Sequence, residues 1–161
     1  MKIIEYEDKY LNDVKDLLVE LEEYIIAIDE DKLNQLHPEY LEKMALLDLK
    51  KVKKYNGKCY LAIENNKAIG LIMGIISVYD EYDYLDYKCP RRGKIIELIV
   101  TSKIRSKGVG QVLIKEMEKY FLSQSCDYIL VDVFGYNDNG LKFYFKQGYH
   151  ARMLTAIKKI N

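Results

Sequence analysis

The N-terminal third of the chain carries the hydrophobic spacing of a short strand followed by two helices. Ile3, Ile4 and Tyr6 form an apolar cluster typical of a strand. A second helix is predicted from His37-Pro38 to about Lys54, because proline suits the first turn of a helix. Before it, apolar residues recur at alternating spacings of three and four, which predicts one buried face of a first helix: Leu11, Val14, Leu18, Leu21, Ile25 and Ile28.

The rest of the chain alternates between strand-like and helix-like segments. Asn65-Asn66 separates two β-rich runs and so predicts a hairpin. The acidic, tyrosine-rich segment Asp80–Gly93 predicts a loop. The other predicted elements are strands at Cys59–Glu64, Lys67–Tyr79, Lys94–Thr101 and Tyr128–Phe134, helices at Val109–Phe121 and Asn137–Gln147, and one or two strands within Tyr149–Ile160.

This order of elements predicts an α/β (α+β) fold, with a mixed central sheet of six to seven strands flanked by about four helices. The length of 161 residues predicts a single domain over residues 1–161. With 49% hydrophobic and 31% charged residues, the composition is that of a globular protein, which excludes the disordered and fibrous classes.

Cysteine usage and the N-terminus indicate a cytoplasmic protein. The three cysteines show no CxxC spacing, so neither a disulfide framework nor a metal site is expected. The N-terminus has no signal-peptide core, and the longest apolar run is about half a membrane span.

The formal charge sums to zero, with 25 Lys and Arg against 25 Asp and Glu. This balance argues against a surface devoted to nucleic acid. The charges are nevertheless uneven, since residues 1–40 hold four lysines and twelve acidic residues. This uneven distribution of charge has two interpretations: two sites that prefer ligands of opposite charge, or one solvated acidic helix.

A glycine-bearing turn between a strand and a helix is the strongest candidate for an anion site. Ile95–Val100 is followed by a polar segment and then by Arg105-Ser106-Lys107-Gly108-Val109-Gly110. Amides at a helix N-terminus bind anions, and glycine permits a close approach. The motif GxxxxGK[ST] is absent, and Leu113 stands where a dinucleotide-binding turn has its third glycine. A phosphate or pyrophosphate fits this chemistry, with a simple turn as the alternative.

The strand, the polar segment, Arg-x-x-Gly-x-Gly and the helix together resemble the acyl-coenzyme A pyrophosphate motif of the GNAT superfamily of N-acyltransferases. A second family motif follows in the expected order: Asn137, Gly140, Tyr144 and Gly148-Tyr149. Gly140 replaces the family's usual Ala and Tyr149 its usual Phe, and Ser102 lies near a common Pro position. The resemblance covers essentially the whole chain. It implies a GNAT-like fold and an acetyl-CoA-dependent N-acetyltransferase with acetyl-CoA as cosubstrate.

The resemblance also implies where acetyl-CoA binds. The turn amides would hold the pyrophosphate, the strand would pair with the pantetheine arm, and an amide of Ile99 or Val100 would donate to the thioester carbonyl. Asn137 would bond to the arm, with a turn or helix cap as its other interpretation. The predicted cofactor-binding residues are Leu98, Ile99, Val100, Arg105, Ser106, Lys107, Gly108, Val109, Gly110, Gln111, Asn137 and Tyr144.

Two residues are predicted to be catalytic. Tyr144 of the second motif would protonate the sulfur of coenzyme A, since a phenol keeps its proton at pH 7. With 15 tyrosines in the chain, packing is the alternative. Glu97 is the one charge in an apolar strand, and family members often use a carboxylate near this position as general base, directly or through water. A surface-facing or ion-paired carboxylate is the alternative there.

The predicted partner is a small-molecule or peptide amine. In the family, the first two helices and the loop between the third and fourth strands help to frame the acceptor. Here these are the acidic N-terminal quarter and Asp80–Tyr87, whose carboxylates and aromatic rings suit a cation or simply face solvent. No nucleic acid and no membrane partner is expected, and a homodimer stays open. The alternative function is a non-catalytic coenzyme A-binding or regulatory module on the same fold.

Overall fold

The computed structural model describes residues 1–104 and 107–160. These residues form five strands, five α-helices and two short 3₁₀ helices at Asp8–Tyr10 and Ser102–Ile104. The strands are β1 (Lys2–Glu5), β2 (Lys58–Glu64), β3 (Lys67–Ser77), β4 (Arg92–Val100) and β5 (Tyr128–Val131). The helices are α1 (Leu11–Ile28), α2 (Tyr40–Lys54), α3 (Asp83–Asp86), α4 (Val109–Ser123) and α5 (Asp138–Lys146).

The strands form one sheet in the order β1-β2-β3-β4-β5. Strands β1 to β4 pair antiparallel with their neighbours, and β5 pairs parallel with β4. The predicted hairpin is confirmed: Asn65 and Asn66 join β2 to β3 with φ values of 49° and 61°. Asparagine tolerates this left-handed conformation, which a tight two-residue hairpin turn requires at both positions.

Helices cover both faces of the sheet. On one face α1 and α2 build a core that includes Leu18 of α1 and Leu71 of β3. On the other face α4 builds a second core that includes Leu113 of α4 and Ile72 of β3. Because successive side chains of a strand point to opposite faces, the whole run Leu71–Ile76 is buried.

The face covered by α4 leaves no room for a side chain at two strand glycines. A Cβ at Gly93 would lie 2.5 Å from the ring of Phe121, and one at Gly74 would lie 2.6 Å from the sulfur of Met117. Both helix residues are fully buried. Helix α4 therefore approaches β3 and β4 closely because these two positions are glycine.

The predicted count of six to seven strands is not confirmed, since the described residues form five. The strands predicted within Tyr149–Ile160 are absent: residues 150–160 form neither helix nor strand and are exposed. The apolar residues Met153, Leu154 and Ile157 lie one and three positions apart. None of these side chains is buried, so the segment gains no hydrophobic stabilisation from joining the sheet.

The four long helices match the prediction of about four, and α3 is a single further turn inside the segment predicted as a loop. Asp80 allows this turn, because its Oδ1 accepts hydrogen bonds from the N–H groups of Tyr82 and Asp83 at 2.9 Å each. These amides have no partner inside a helix that starts here. Arg92 and Gly93, also predicted in the loop, belong to β4.

Helix length and hydropathy bear on membrane insertion. Within residues 1–104 and 107–160, no helix combines the length and the apolar character needed to cross a bilayer.

Candidate active site

Strand β5 pairs only with the first part of β4. Their ladder ends where Ile95 pairs with Val131, whereas β4 continues to Val100. At the same level the register between β3 and β4 shifts, which leaves Ile96 as an extra residue in β4. Such a bulge bends a strand and re-aims its side chains. Beyond Ile95, no strand of the described residues pairs with β4 on the β5 side, and we call the space on that side of residues 96–100 the cleft.

One hydrogen bond shows which amides of β4 face this cleft. The Thr101 N–H donates to the Ile69 carbonyl at 3.0 Å, in the direction of β3. Backbone groups alternate in direction along an antiparallel strand. The N–H of Ile99 therefore points to β3, whereas those of Leu98 and Val100 point to the cleft. Of the three strand residues predicted to bind the cofactor, Leu98 and Val100 present their backbone to the cleft.

The glycine turn leads directly into α4. Gly108 occupies the N-cap position with a φ of +79°, a left-handed conformation that favours glycine. A helical hydrogen bond runs from the Val112 N–H to the Gly108 carbonyl at 3.1 Å. The amides of Val109, Gly110 and Gln111 thus belong to the first turn, which a helix leaves without intrahelical partners.

The surroundings of this turn suit an anion. Lys107 and Gln111 are exposed on either side of it, and the lysine adds charge to the positive end of the helix dipole. A Cβ at Gly110 would lie 3.2 Å from the ring of Phe143, so α5 packs against the start of α4. Arg105 and Ser106 lie outside the described residues. The amides, the ammonium and the lack of side-chain bulk fit a phosphate or pyrophosphate.

Glu97 lies on the α1/α2 face of β4, in register with the buried Met73 of β3. Burial raises its pKa to about 8, helped by the charges of Asp48 and Glu22 and opposed by Lys51. No ion pair of Glu97 is found in the part of the chain that the structure describes. A carboxyl group whose pKa lies near neutrality is well matched to accept a proton from an amine.

Tyr144 is a buried residue of α5, with 9% of its surface exposed. Its ring meets those of Phe143 and Tyr149 edge-on, at centroid distances of 5.4 and 5.5 Å. Burial raises the pKa of Tyr144, and the charge of Glu97 raises it further. The phenol therefore keeps its proton at neutral pH. The charge of Glu97 thus acts on Tyr144, although Tyr144 packs in the core on the α4 face and Glu97 lies on the α1/α2 face.

Asn137 caps α5. Its Oδ1 accepts a hydrogen bond from the Gly140 N–H at 2.9 Å and another from the Tyr24 hydroxyl at 3.1 Å. A Cβ at Gly140 would lie 2.5 Å from the Asn137 Nδ2. Glycine in place of the family's usual alanine therefore makes room for this folded-back side chain. The capping interpretation of Asn137 is observed, and its contact with the pantetheine arm stays a prediction.

Sequence reasoning missed two acidic residues that act on Glu97. Asp48 of α2 lies between the buried positions Ala45 and Val52, and burial raises the pKa of its carboxyl. A signal was present, since the helical spacing from Ala45 to Val52 assigns Asp48 to the buried face. Glu22 of α1 acts on Glu97 from a second helix. Within the described residues, no group of three or more His, Cys, Asp or Glu is arranged to hold a metal ion.

The loop Asp80–Tyr87, expected to frame the acceptor, uses part of its charge internally. Asp80 caps α3, and Asp83 accepts from the Asp80 N–H at 2.9 Å and pairs with Arg92 at 3.8 Å. Tyr82 and Tyr84 remain accessible, at 70% and 66% exposure. The loop therefore presents aromatic rings, while two of its four carboxylates hold its own shape.

An acidic cavity of about 440 Å³ adjoins Asn137, between the end of α1 and the segment before α5, and not at Glu97 and Tyr144. Backbone N–H groups of Asn34, Leu33 and Asp31 lower the pKa of Asp29, so this carboxylate stays ionised at neutral pH. The cavity is lined by Ala27, Ile28, Asp29, Glu30, Gly135, Tyr136 and Asp138.

Known proteins share both the sequence pattern and the fold. The model of the acetyltransferase (GNAT) family matches residues 18–149. An uncharacterized N-acetyltransferase of Methanocaldococcus jannaschii is 30% identical over 96 residues, which are 59% of this chain and 54% of that protein. The chain thus spans about half the length of this curated relative.

Two solved structures extend the likeness to the whole chain. A mutant of the BH1408 protein from Bacillus halodurans superposes with a TM-score of 0.83 at 16% identity and covers 100% of both chains. An aminoglycoside N-acetyltransferase in complex with CoA gives a TM-score of 0.67 at 15% identity, over 98% of this chain and 99% of that one. At these identities the likeness concerns the fold. With the family match over residues 18–149, the chain belongs to the acetyltransferase (GNAT) family.

Proposed function

We propose that this chain is an N-acetyltransferase that transfers the acetyl group of acetyl-CoA directly to a primary amine. The observation that carries the proposal is the glycine turn at the start of α4, whose first-turn amides suit the pyrophosphate of acetyl-CoA. Glu97, whose pKa is raised to about 8, and Tyr144, whose phenol keeps its proton, support acid–base chemistry. The side of β4 that faces the cleft supports pairing with the pantetheine arm.

The reaction uses one proton acceptor and one proton donor. Glu97 takes a proton from the acceptor ammonium, directly or through water, and the freed nitrogen attacks the thioester carbon to form the C–N bond. The C–S bond then breaks, Tyr144 gives its proton to the departing sulfur, and the nitrogen releases its second proton to solvent to leave the neutral amide. Solvent returns the proton held by Glu97 to Tyr144. General acid–base catalysis of this kind contributes typically ~10²- to 10⁴-fold to a rate.

The oxygen that gains charge during the attack needs a hydrogen-bond donor. We assign this role to the Leu98 N–H, because it points into the cleft and Leu98 follows Glu97 directly. Val100 is assigned to the pantetheine arm. Of the two amides that the family resemblance offered, Ile99 and Val100, the Ile99 N–H points instead towards β3.

The acceptor is proposed to be cationic. The acidic cavity beside Asn137 and the accessible rings of Tyr82 and Tyr84 support this choice, since carboxylates attract a cation and aromatic faces stabilise it. A polyamine, an aminoglycoside and a lysine-bearing peptide are suitable acceptors, because each carries an ammonium beside the one that reacts.

Release of free thiol from acetyl-CoA across a panel of amines tests the proposal. We expect turnover with cationic amines and little with neutral or acidic ones. Turnover confined to neutral or acidic amines would contradict the acceptor class. Saturable binding of acetyl-CoA without turnover on any amine would favour the non-catalytic coenzyme A-binding module instead.

A further inference from the structure

Asp48 of α2 carries a carboxyl group that is buried in the protein interior. Only 6% of the residue is exposed, and within the described residues its Oδ2 has no partner. An unpaired polar atom in a protein interior costs free energy that a nonpolar residue at the same place avoids. Asp48 therefore needs an explanation other than stability.

The position of Asp48 over the sheet supplies one. Cys59, Met73 and Glu97 pair in register across β2, β3 and β4 and form one row on the α1/α2 face. The charge of Asp48 raises the pKa of Cys59 at one end of the row and of Glu97 at the other. The Asp48 carboxyl thus lies over the row, within electrostatic reach of Glu97.

The groups around Asp48 and Glu97 provide little positive charge. Glu22 faces it from α1 and Tyr40 from the start of α2, and both lack a positive charge. Tyr144 of α5 also faces Glu97. Lys51, one turn after Asp48 on α2, is the cation that acts on both carboxyl groups. In a water-poor site two neighbouring carboxyl groups do not both ionise readily, so they lose their protons in sequence.

We infer that Asp48 and Glu97 form a coupled carboxyl pair that keeps one proton at neutral pH, with Asp48 as the positioning residue that makes Glu97 a stronger base. Asp48 loses its proton first, and its charge then resists ionisation of Glu97. A more basic carboxylate takes a proton from an ammonium group more readily. The inference rests on the proposed function, in which Glu97 is the general base, but the pair itself is observable without turnover.

The test is a direct titration of Glu97 in the full chain by ¹³C NMR of labelled glutamate carboxyls, with the resonance assigned by its loss in Glu97→Gln. Wild type should titrate near pH 8. In Asp48→Asn the midpoint should fall by about one pH unit or more, because the neighbouring charge is gone. Asp48→Leu should give the same fall if the asparagine variant does not fold, and Asp48→Glu should keep a higher midpoint than Asp48→Asn.

The rates and the controls separate this role from a structural one. At low pH, kcat/KM relative to its own plateau should rise up to about tenfold in Asp48→Asn, because more Glu97 is ionised there. Glu42→Gln removes an exposed carboxylate from the same helix and should leave the midpoint unchanged.

Two outcomes would overturn the inference. One is a Glu97 midpoint that is the same in wild type, Asp48→Asn and Asp48→Leu, even if these variants are less stable or less active. The other is a wild-type midpoint in the ordinary range of glutamate. If no amine is acetylated, the proposed function fails while the titration still decides whether the pair exists.

Discussion

The two faces of β4 bury side chains of different chemical character. Towards α4 the strand is sealed by apolar contact, with Gly93 directly under the ring of Phe121. Towards α1 and α2 it presents Glu97, and the helix above contributes Asp48. Apolar packing on the α4 face fixes the position of the strand. The α1/α2 face buries carboxyl groups, and burying them weakens the fold. The difference indicates that the α4 face at Gly93 is shaped for close packing, whereas the α1/α2 face holds buried carboxyl groups as well as an apolar core.

Of the variants that test this comparison, Tyr144→Phe should show the largest effect, which is on kcat. Loss of the hydroxyl removes the proposed donor to sulfur, so kcat should fall about 100-fold or more, while the KM for acetyl-CoA changes little. Steady-state kinetics of thiol release measure both quantities. Tyr149→Phe is the matched control, since its ring touches Tyr144 and its hydroxyl bonds to Glu118 instead. Equal turnover in Tyr144→Phe and wild type would remove Tyr144 from the chemistry.

Glu97→Gln should change how stability depends on pH. The pKa of Glu97 is raised from 4.5 to about 8, so the folded state holds a proton that the unfolded chain releases. The stability of wild type should therefore fall between about pH 4.5 and 8, by at most about 1.4 kcal/mol per pH unit for this one group.

Denaturant unfolding at several pH values checks this fall. The Gln variant should lose much of it and should gain stability relative to wild type as the pH rises. Asp48 keeps its own contribution in that variant, so some slope should remain. Parallel curves for wild type and Glu97→Gln would mean that Glu97 is not desolvated.

Gly93→Ala should probe the sealed face. A methyl group there would meet the Phe121 ring at 2.5 Å, so the ring or the strand must move. We expect a loss of about 1–3 kcal/mol in the free energy of unfolding. Gly135→Ala is the control, because a Cβ there meets nothing within 4 Å and its φ is not positive. Similar losses in the two variants would show that close approach of α4 is not what Gly93 provides.

Asn137→Ala should have the smallest effect on stability. It removes the cap of α5 and the bond from Tyr24, at a cost of about 1 kcal/mol. Tyr24→Phe removes the second bond but keeps the cap of α5, and should cost less. A rise in the KM for acetyl-CoA in Asn137→Ala but not in Tyr24→Phe would support the pantetheine contact, and an unchanged KM in both would leave capping as its role.

The sequence was most informative where a pattern is local. The spacing of three and four predicted α1, and Asn65-Asn66 predicted the hairpin between β2 and β3. Glu97 stood out as a charge in an apolar strand, and burial accounts for its shifted pKa. The role of Tyr144 as proton donor came from the family resemblance and from nothing in the spacing of the residue.

Features that depend on how the strands and helices pack together could not be predicted from the sequence. The direction of the Leu98 and Ile99 amides depends on the pairing of β4 with β3, and the role of Asp48 depends on which strand lies beneath α2. One or two strands were predicted within Tyr149–Ile160, but residues 150–160 bury no apolar side chain against the sheet. Asp80 created a helical turn through its own side chain, which composition alone did not indicate.

The most direct test of the central claim is the pH dependence of kcat for one amine acceptor in wild type, Glu97→Gln and Tyr144→Phe. Ionisation of the amine itself contributes equally to all three, so differences report on the protein. We predict a limb in wild type that rises through about pH 8, its absence in Glu97→Gln, and its retention at a lower rate in Tyr144→Phe. The same limb in Glu97→Gln and wild type would contradict the assignment of Glu97 as the base.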